Sequence, residues 1–220
     1  MFFIEISKYL DVVSPFLLLL FVAITPGVTS RKDYIFWFLV IQLLFNSLST
    51  IIQLFDGNNL VVYNANCIIS FLILSVFFSS ILQLNKIKII VPVVSALFLV
   101  ISVINGLVFE NIINEFNSIM YGLAAFIIVV YCFLYYLQNL LNPTQDIMHS
   151  RDFWYVTGFL TYYTSSFFIF VTFNYLTQSN NSQYNNGIKL LWPIHNLFFL
   201  VMCGYLLKGM LCKRSLMKYI

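Results

Sequence analysis

The segment LVVYNANCIISFLILSVFFSSILQL, residues 60–84, runs for 25 positions without a charged side chain. The hydrocarbon core of a bilayer is about 30 Å thick and takes about 20 helical residues, so a run of this length reads as a membrane-crossing helix. A strand of an outer-membrane barrel is roughly ten residues long and alternates apolar with polar, which this segment does not do. Asp56-Gly57-Asn58-Asn59 before it and Asn85-Lys86 after it supply turn chemistry at both ends.

Similar runs lie near residues 11–28, 34–55, 87–109, 116–138, 153–176 and 189–211, divided by Thr25-Pro26-Gly27, Ser30-Arg31-Lys32-Asp33 and Asn142-Pro143-Thr144. The expected fold is therefore an all-α membrane protein, one seven-transmembrane-helix bundle over residues 1–220. Pro15, Pro92 and Pro193 are expected in the first turns of their helices, where a missing N–H costs little. Of the 220 residues, 61% are hydrophobic, 19% aromatic and 9% charged, with mean hydropathy +0.91, against about a quarter charged in a soluble domain. These proportions exclude a water-soluble globule, and seven spans leave no room for a kinase, nuclease or nucleotide-binding domain. Glu5 and Asp11 ahead of the first apolar run, and no small-x-small pattern after it, read as a retained helix and not a cleaved signal peptide.

Orientation follows from Lys and Arg. One side receives nine (Arg31, Lys32, Lys86, Lys88, Arg151, Lys208, Lys213, Arg214 and Lys218), the other only Lys8 and Lys189. The basic side is expected in the cytoplasm, with the amino terminus outside and the carboxyl terminus inside an inner (plasma) membrane that the chain crosses several times. Tyr34, Trp37, Phe153 and Trp154 then anchor the inner interface and Trp192 the outer one. The slight basic excess is a topology signal and gives no ground for a nucleic-acid partner; the expected surroundings are lipid. Cys67, Cys132, Cys203 and Cys212 show no CxxC pairing, so no disulfide, metal site or cofactor is expected.

Polar side chains inside the spans are the informative minority, because each needs a partner or a wet cavity. Gln42, Asn46, Ser49 and Gln53 are spaced four, three and four apart and share one helical face. Tyr63, Asn66, Cys67 and Ser70 line the outer half of the third span, with Ser75, Ser79 and Gln83 further in. Asn105, Asn114, Asn117, Ser118 and Tyr121 lie near the outer ends of the fourth and fifth. The sixth, carrying Tyr155, Thr157, Thr161, Tyr162, Tyr163, Ser165, Ser166, Thr172 and Asn174, is the most polar, and Trp192-Pro193-Ile194-His195-Asn196 opens the seventh. Asn46, Asn66, Asn117, Tyr162, His195 and Asn196 are the candidate ligand-binding residues, bordering one cup open to the outside. Interhelical glue is the competing reading, especially for the hydroxyls. For His195, binding or sensing of external pH stands beside a satisfied interhelical hydrogen bond, and beside catalysis.

Lys208 lies too near the cytoplasmic end for a retinal Schiff base, and the third span offers no acidic counter-ion; it is expected to snorkel to the headgroups. His149-Ser150-Arg151-Asp152 reads as a solvated loop with Asp152 capping the sixth helix. No Gly-x-Ser-x-Gly, His-Glu-x-x-His or paired membrane aspartates occur, and no enzyme activity is expected.

Asn58-Asn59-Leu60, Glu115-Phe116-Asn117-Ser118, Asp152-Phe153-Trp154 with Gly158 and Tyr162, and Trp192-Pro193-Ile194-His195-Asn196 together resemble a group of short, largely uncharacterised seven-helix membrane proteins of Bacteroidota. The resemblance covers most of the chain from the second helix onward; near Ser70 the chain departs from an acidic residue common in the group. Members are often encoded beside sensor histidine kinases or response regulators, which implies a membrane sensing role with a cytoplasmic or membrane signalling partner. A receptor-like sensor for a small ligand thus stands first, a small-solute transporter or channel second, and a structural subunit of a membrane complex third. A transporter built from repeats should carry Gly or Pro breaks at matching positions in both halves, whereas Gly158 and Gly204 have no counterparts in the first half.

Overall fold

The computed structural model describes residues 7–25, 33–83, 85–108, 116–142, 147–178 and 182–212, with the backbone alone for 85–88, 174–178 and 182–189. Seven α-helices run through these residues: α1 (Leu10–Ile24), α2 (Tyr34–Leu54), α3 (Leu60–Ile81), α4 (Asn85–Val108), α5 (Ser118–Leu141), α6 (Arg151–Gln178) and α7 (Ser182–Leu211). A 3-10 turn, Ile147–His149, precedes α6, and no strand occurs among the described residues.

Six helices, all but α1, contain stretches long and apolar enough to cross a bilayer. α1 has 15 residues and, at 1.5 Å per residue, is about 22 Å long, short of the roughly 30 Å hydrocarbon core. Burial is inverted relative to a soluble bundle. Leu44, Val100, Val103, Phe133 and Leu140 are exposed, whereas Gln42, Asn46, Asn66, Asn117 and Asn196 are buried, the distribution that a hydrocarbon surrounding demands. The chain is a multi-pass helical membrane protein.

Hydrogen bonds and one ion pair identify the two ends of the bundle. Arg151 Nη1 lies 3.8 Å from Asp33 Oδ2, and the Gln83 backbone N–H donates to Gln138 Oε1 at 2.6 Å. The starts of α2 and α6 therefore meet the ends of α3 and α5 at what we call the Arg151 end. Opposite, at the Ser118 end, Tyr121 Oη donates to the Tyr63 carbonyl at 2.6 Å and Asn105 Nδ2 donates to Asn117 Oδ1. Asp33 caps α2 by accepting from the Ile35 N–H at 3.1 Å, and Asn117 caps α5 by accepting from the Met120 N–H at 3.2 Å.

Two expectations are corrected here. The prolines lie inside their helices and not in the first turns, because α1, α4 and α7 begin at Leu10, Asn85 and Ser182. In α1 the consequence is visible: Pro15 has no N–H to offer the carbonyl of Asp11 four residues back, and Asn46 Nδ2 donates to that oxygen instead at 3.0 Å. Asp152 lies within the first turn of α6, which starts at Arg151, and so acts on the positive helix end from inside.

The Arg151 end is packed with interlocking aromatic rings. Phe159, fully buried, has its ring centroid 5.5 Å from Phe38, 5.9 Å from Phe77 and 6.4 Å from Phe78. α6 and α7 form the most extensive pair, and glycine permits their approach: a Cβ at Gly158 would lie 3.0 Å from Tyr205 Cβ, and one at Gly209 would lie 2.6 Å from the Tyr155 ring. Trp154 stacks on Tyr205, and exposed Lys208 places Nζ 5.7 Å from the Trp154 ring centre.

Candidate functional site

From α2, Gln42, Asn46 and Ser49 face inward, one turn apart, while Gln53 is exposed at the helix end. From α3, Asn66 and Ser70 face them. Gln42 Nε2 donates to Ser70 Oγ at 2.6 Å and to Asn66 Oδ1 at 3.4 Å; Ser70 Oγ donates to Asn66 Oδ1 at 3.0 Å. Asn66 Nδ2 donates back to Gln42 Oε1 at 3.3 Å and to Asn46 Oδ1 at 3.4 Å. Each amide both gives and receives, which is how four polar side chains become tolerable in an apolar surrounding.

Above this amide set lies a cavity of about 40 Å³, bordered by Gln42, Asn66 and Ser70 on one side and by Tyr121, Tyr162 and Tyr163 on the other, with Phe71 and Phe170 among its apolar walls. Drug-sized pockets start at about 300 Å³; this one has room for water or a molecule of a few non-hydrogen atoms. Its lining carries amides, hydroxyls and phenols but no charged side chain, so it suits a neutral hydrogen-bonding guest.

Tyr162 carries the site across to α7. Its Oη lies 3.2 Å from His195 Nε2, and Ser166 Oγ lies 3.0 Å from His195 Nδ1. Rings of Tyr162, Phe170 and Trp192 surround the imidazole with centroids 5.2, 5.1 and 5.2 Å away. A neutral imidazole with one donor and one acceptor nitrogen matches two hydroxyls, each of which can give or receive.

The six candidate residues are all buried, but they do not border one cavity. Asn66 and Tyr162 line it; Asn46 and His195 are each one hydrogen bond removed from it. Asn117 caps α5 and accepts from Asn105, away from the cavity. Asn196 turns toward the amino-terminal segment, where its Nδ2 donates to the Ser7 carbonyl at 2.9 Å. The cavity that is present is a small, partly open chamber with hydrogen-bonded arms reaching α1 and α7. The side chains of Asn114 and Asn174 lie outside the described residues.

Gln42, Ser70, Tyr121 and Tyr163 line the chamber and were not among the six. Gln42 and Ser70 each stand four residues from a chosen amide, Asn46 and Asn66, and that spacing was the signal available in the sequence. Asp11 reads in the sequence as part of the outer flank, yet it is buried, and its Oδ1 has no hydrogen-bond partner. Cys67, Cys132 and Cys203 are buried free thiols, and Cys212 is partly exposed. Among the described residues no group of three or more His, Cys, Asp or Glu side chains gathers as a metal site would.

Comparison with family models, with curated proteins and with solved structures finds no match for this chain.

Proposed function

We propose that the protein is a membrane sensor in which the chamber between α2, α3, α5 and α6 binds a small neutral polar molecule. The observation that carries this reading is the chamber's connectivity. Asn66, in its wall, bonds Asn46, which holds α1 through the Asp11 carbonyl; Tyr162, in its opposite wall, bonds His195 on α7. A guest that competes for Asn66 or Tyr162 changes what both helices are tied to, and differential bonding of this kind is what shifts a population between two helix arrangements.

A transporter would need a path onward through the Arg151 end. That end is filled by Phe38, Phe77, Phe78 and Phe159, none more than 3% exposed, which favours the sensor. The resemblance to the Bacteroidota group points the same way and suggests a separate cytoplasmic signalling protein as partner. In this reading all seven helices span the plasma membrane, with the Arg151 end in the cytoplasm; α1, short for a full span, does so with help from the residues flanking it. Reporter fusions after Asn58 should then register outside, and fusions after Leu84 and after Lys218 inside. An outside signal from the last would overturn the orientation or the span count.

The binding test uses Cys212, the thiol left accessible at the Arg151 end of α7. Label the full chain there with an environment-sensitive dye in nanodiscs and titrate formamide or methanol. A three-heavy-atom guest gains at most about 4.5 kcal/mol, so half-saturation is expected no tighter than about 0.5 mM. Saturable change in the wild type, absent in the combined Gln42→Leu and Asn66→Leu variant, supports the reading. No saturable change with either probe would leave the chamber a structural water site and reject it.

A further inference from the structure

Among the described residues Asp11 is the only buried acidic side chain, at 7% exposure, and its Oδ1 has almost no accessible surface and no hydrogen-bond partner. An acidic group in the first turn of a helix is favoured by the helix dipole, and the N–H groups of Asp11 and Val12 are its nearest donors. They leave Oδ1 unpaired. α1 packs against α2, which carries no charged residue, and against α7, whose Lys208 lies at the far end. The titratable groups around the carboxyl are the phenols of Tyr63 and Tyr162 and, bonded to Tyr162, the His195 imidazole; Lys8, on the approach to α1, is exposed. None of the described cations forms an ion pair with Asp11.

A buried carboxylate with an unpaired oxygen is costly, whereas the neutral acid turns that oxygen into a hydrogen-bond donor. An acceptor for it stands on α2. Asn46 Nδ2 bonds the Asp11 carbonyl at 3.0 Å, and Ser49, one turn nearer the Ser118 end on the same face, is fully buried with an Oγ that makes no hydrogen bond. Side chains of α1 lean toward the start of their own helix, which also lies at the Ser118 end, so the Asp11 carboxyl is directed to the level of Ser49. Tyr63 of α3 lies close enough to interact with both. We propose that Asp11 is a proton-binding site, in which a carboxylic acid O–H at Oδ1 points to the Ser49 hydroxyl and fastens the start of α1 to α2. An oxygen with so little accessible surface leaves no room for a water or a metal ion, and a proton needs no cavity. Losing the proton puts an unpaired charge between α1 and α2 and strains the tie that Asn46 carries on to Asn66. The position of α1 thereby answers to proton concentration at the Ser118 end, with or without a guest in the chamber.

The test is infrared spectroscopy of the full chain in nanodiscs at about pH 7, where an ordinary carboxyl group, with a pKa of about 4, is ionised. A carboxylic acid C=O band is expected in the wild type, shifted when aspartate is labelled with carbon-13 at its side-chain carboxyl and missing from Asp11→Asn. Ser49→Ala should keep the band and move it to higher frequency, because the acid has lost its acceptor. Thermal unfolding supplies a second readout. The wild-type melting temperature should fall as pH is raised from about 5 to about 9, since deprotonation leaves a buried charge unpaired, and Asp11→Asn should remove that part of the fall. No acid band in the wild type, or one that labelled aspartate does not shift, would overturn the proposal even if Asp11→Asn does not fold. So would a band that survives in Asp11→Asn, or an unchanged frequency in Ser49→Ala. A melting temperature that rises with sodium chloride over choline chloride in the wild type but not in Asp11→Asn would make the occupant a sodium ion and overturn it as well. No guest is added in any of these measurements, so their failure leaves the sensing reading standing.

Discussion

The two ends of the bundle solve the same problem with different chemistry. At the Arg151 end, helices meet through interlocked rings and glycine contacts: Phe159 against Phe38, Phe77 and Phe78, and Gly209 against Tyr155. Toward the Ser118 end they meet through amides, phenols and one imidazole: Gln42 to Asn66 and Ser70, Tyr121 to Tyr63, Tyr162 to His195. Ring packing is insensitive to hydrogen-bonding solutes and permits few alternative arrangements, because interiors this dense resist gradual deformation. A polar network can exchange one partner for another at small cost. On the proposed sensor reading, rigidity belongs to one end and response to the other, and substitutions at each end should differ in size and in kind.

The largest loss is expected from Phe159→Ala. Removing a fully buried ring that touches three others opens a cavity costing about 3–5 kcal/mol, and the detergent-solubilised protein should lose most of its thermal stability. Gly209→Ala comes next. Its new Cβ would meet the Tyr155 ring at 2.6 Å and the Arg151 carbonyl at 3.0 Å, overpacking that costs about 1–3 kcal/mol. Gly204→Ala is the control, since no atom lies within 4 Å of its Cβ position; its melting temperature should stay at the wild-type value. Equal effects at Gly204 and Gly209 would break the picture of a close-packed α6–α7 seam.

Helix positions were legible in the sequence because a charge-free run of this length has few other readings; the expected 34–55 and 60–84 became Tyr34–Leu54 and Leu60–Ile81. The prolines were misplaced for a physical reason. Polar residues hide the true first turns of α7, which starts at Ser182 and not near 189, since hydropathy marks the apolar run and not the backbone hydrogen bonds; α1 starts within one residue of the expected position, and Pro15 is simply its sixth residue. The direction of the site's side chains was not legible. The sequence assigns Asn66 and Asn117 to one outer depth, but it offers no means to tell that one faces Gln42 inside α3 and the other caps α5 beside Asn105. Stripe spacing gave the angle within α2, but the angle between helices is set by packing that only the assembled bundle contains.

Within the polar end, Asn66→Leu should cost about 1–3 kcal/mol, because it leaves Gln42 and Asn46 with unpaired buried groups. Adding Gln42→Leu should cost less than the sum of the two single changes, since an unmatched partner is removed with it. Additive losses, measured by thermal unfolding of both singles and the double, would mean that the amides act separately and do not form one network.

The smallest effect is expected around His195. Tyr162→Phe removes one hydroxyl from the imidazole and Ser166→Ala the other, and interhelical hydrogen bonds of this kind contribute about 0.6 kcal/mol each in a bilayer. Either change alone should barely move the melting temperature, because the remaining hydroxyl can still satisfy one ring nitrogen and the enclosing rings of Phe170 and Trp192 stay in place. The two positions nevertheless differ in their consequence for sensing. Tyr162 also lines the chamber, whereas Ser166 does not. Tyr162→Phe should therefore weaken the formamide response of the Cys212 dye, and Ser166→Ala should leave its midpoint unchanged while altering only the imidazole's own environment. If both variants shift the midpoint equally, the imidazole is part of the binding site itself; if neither does, the arm from the chamber to α7 carries no signal and the response must travel through Asn46 to α1.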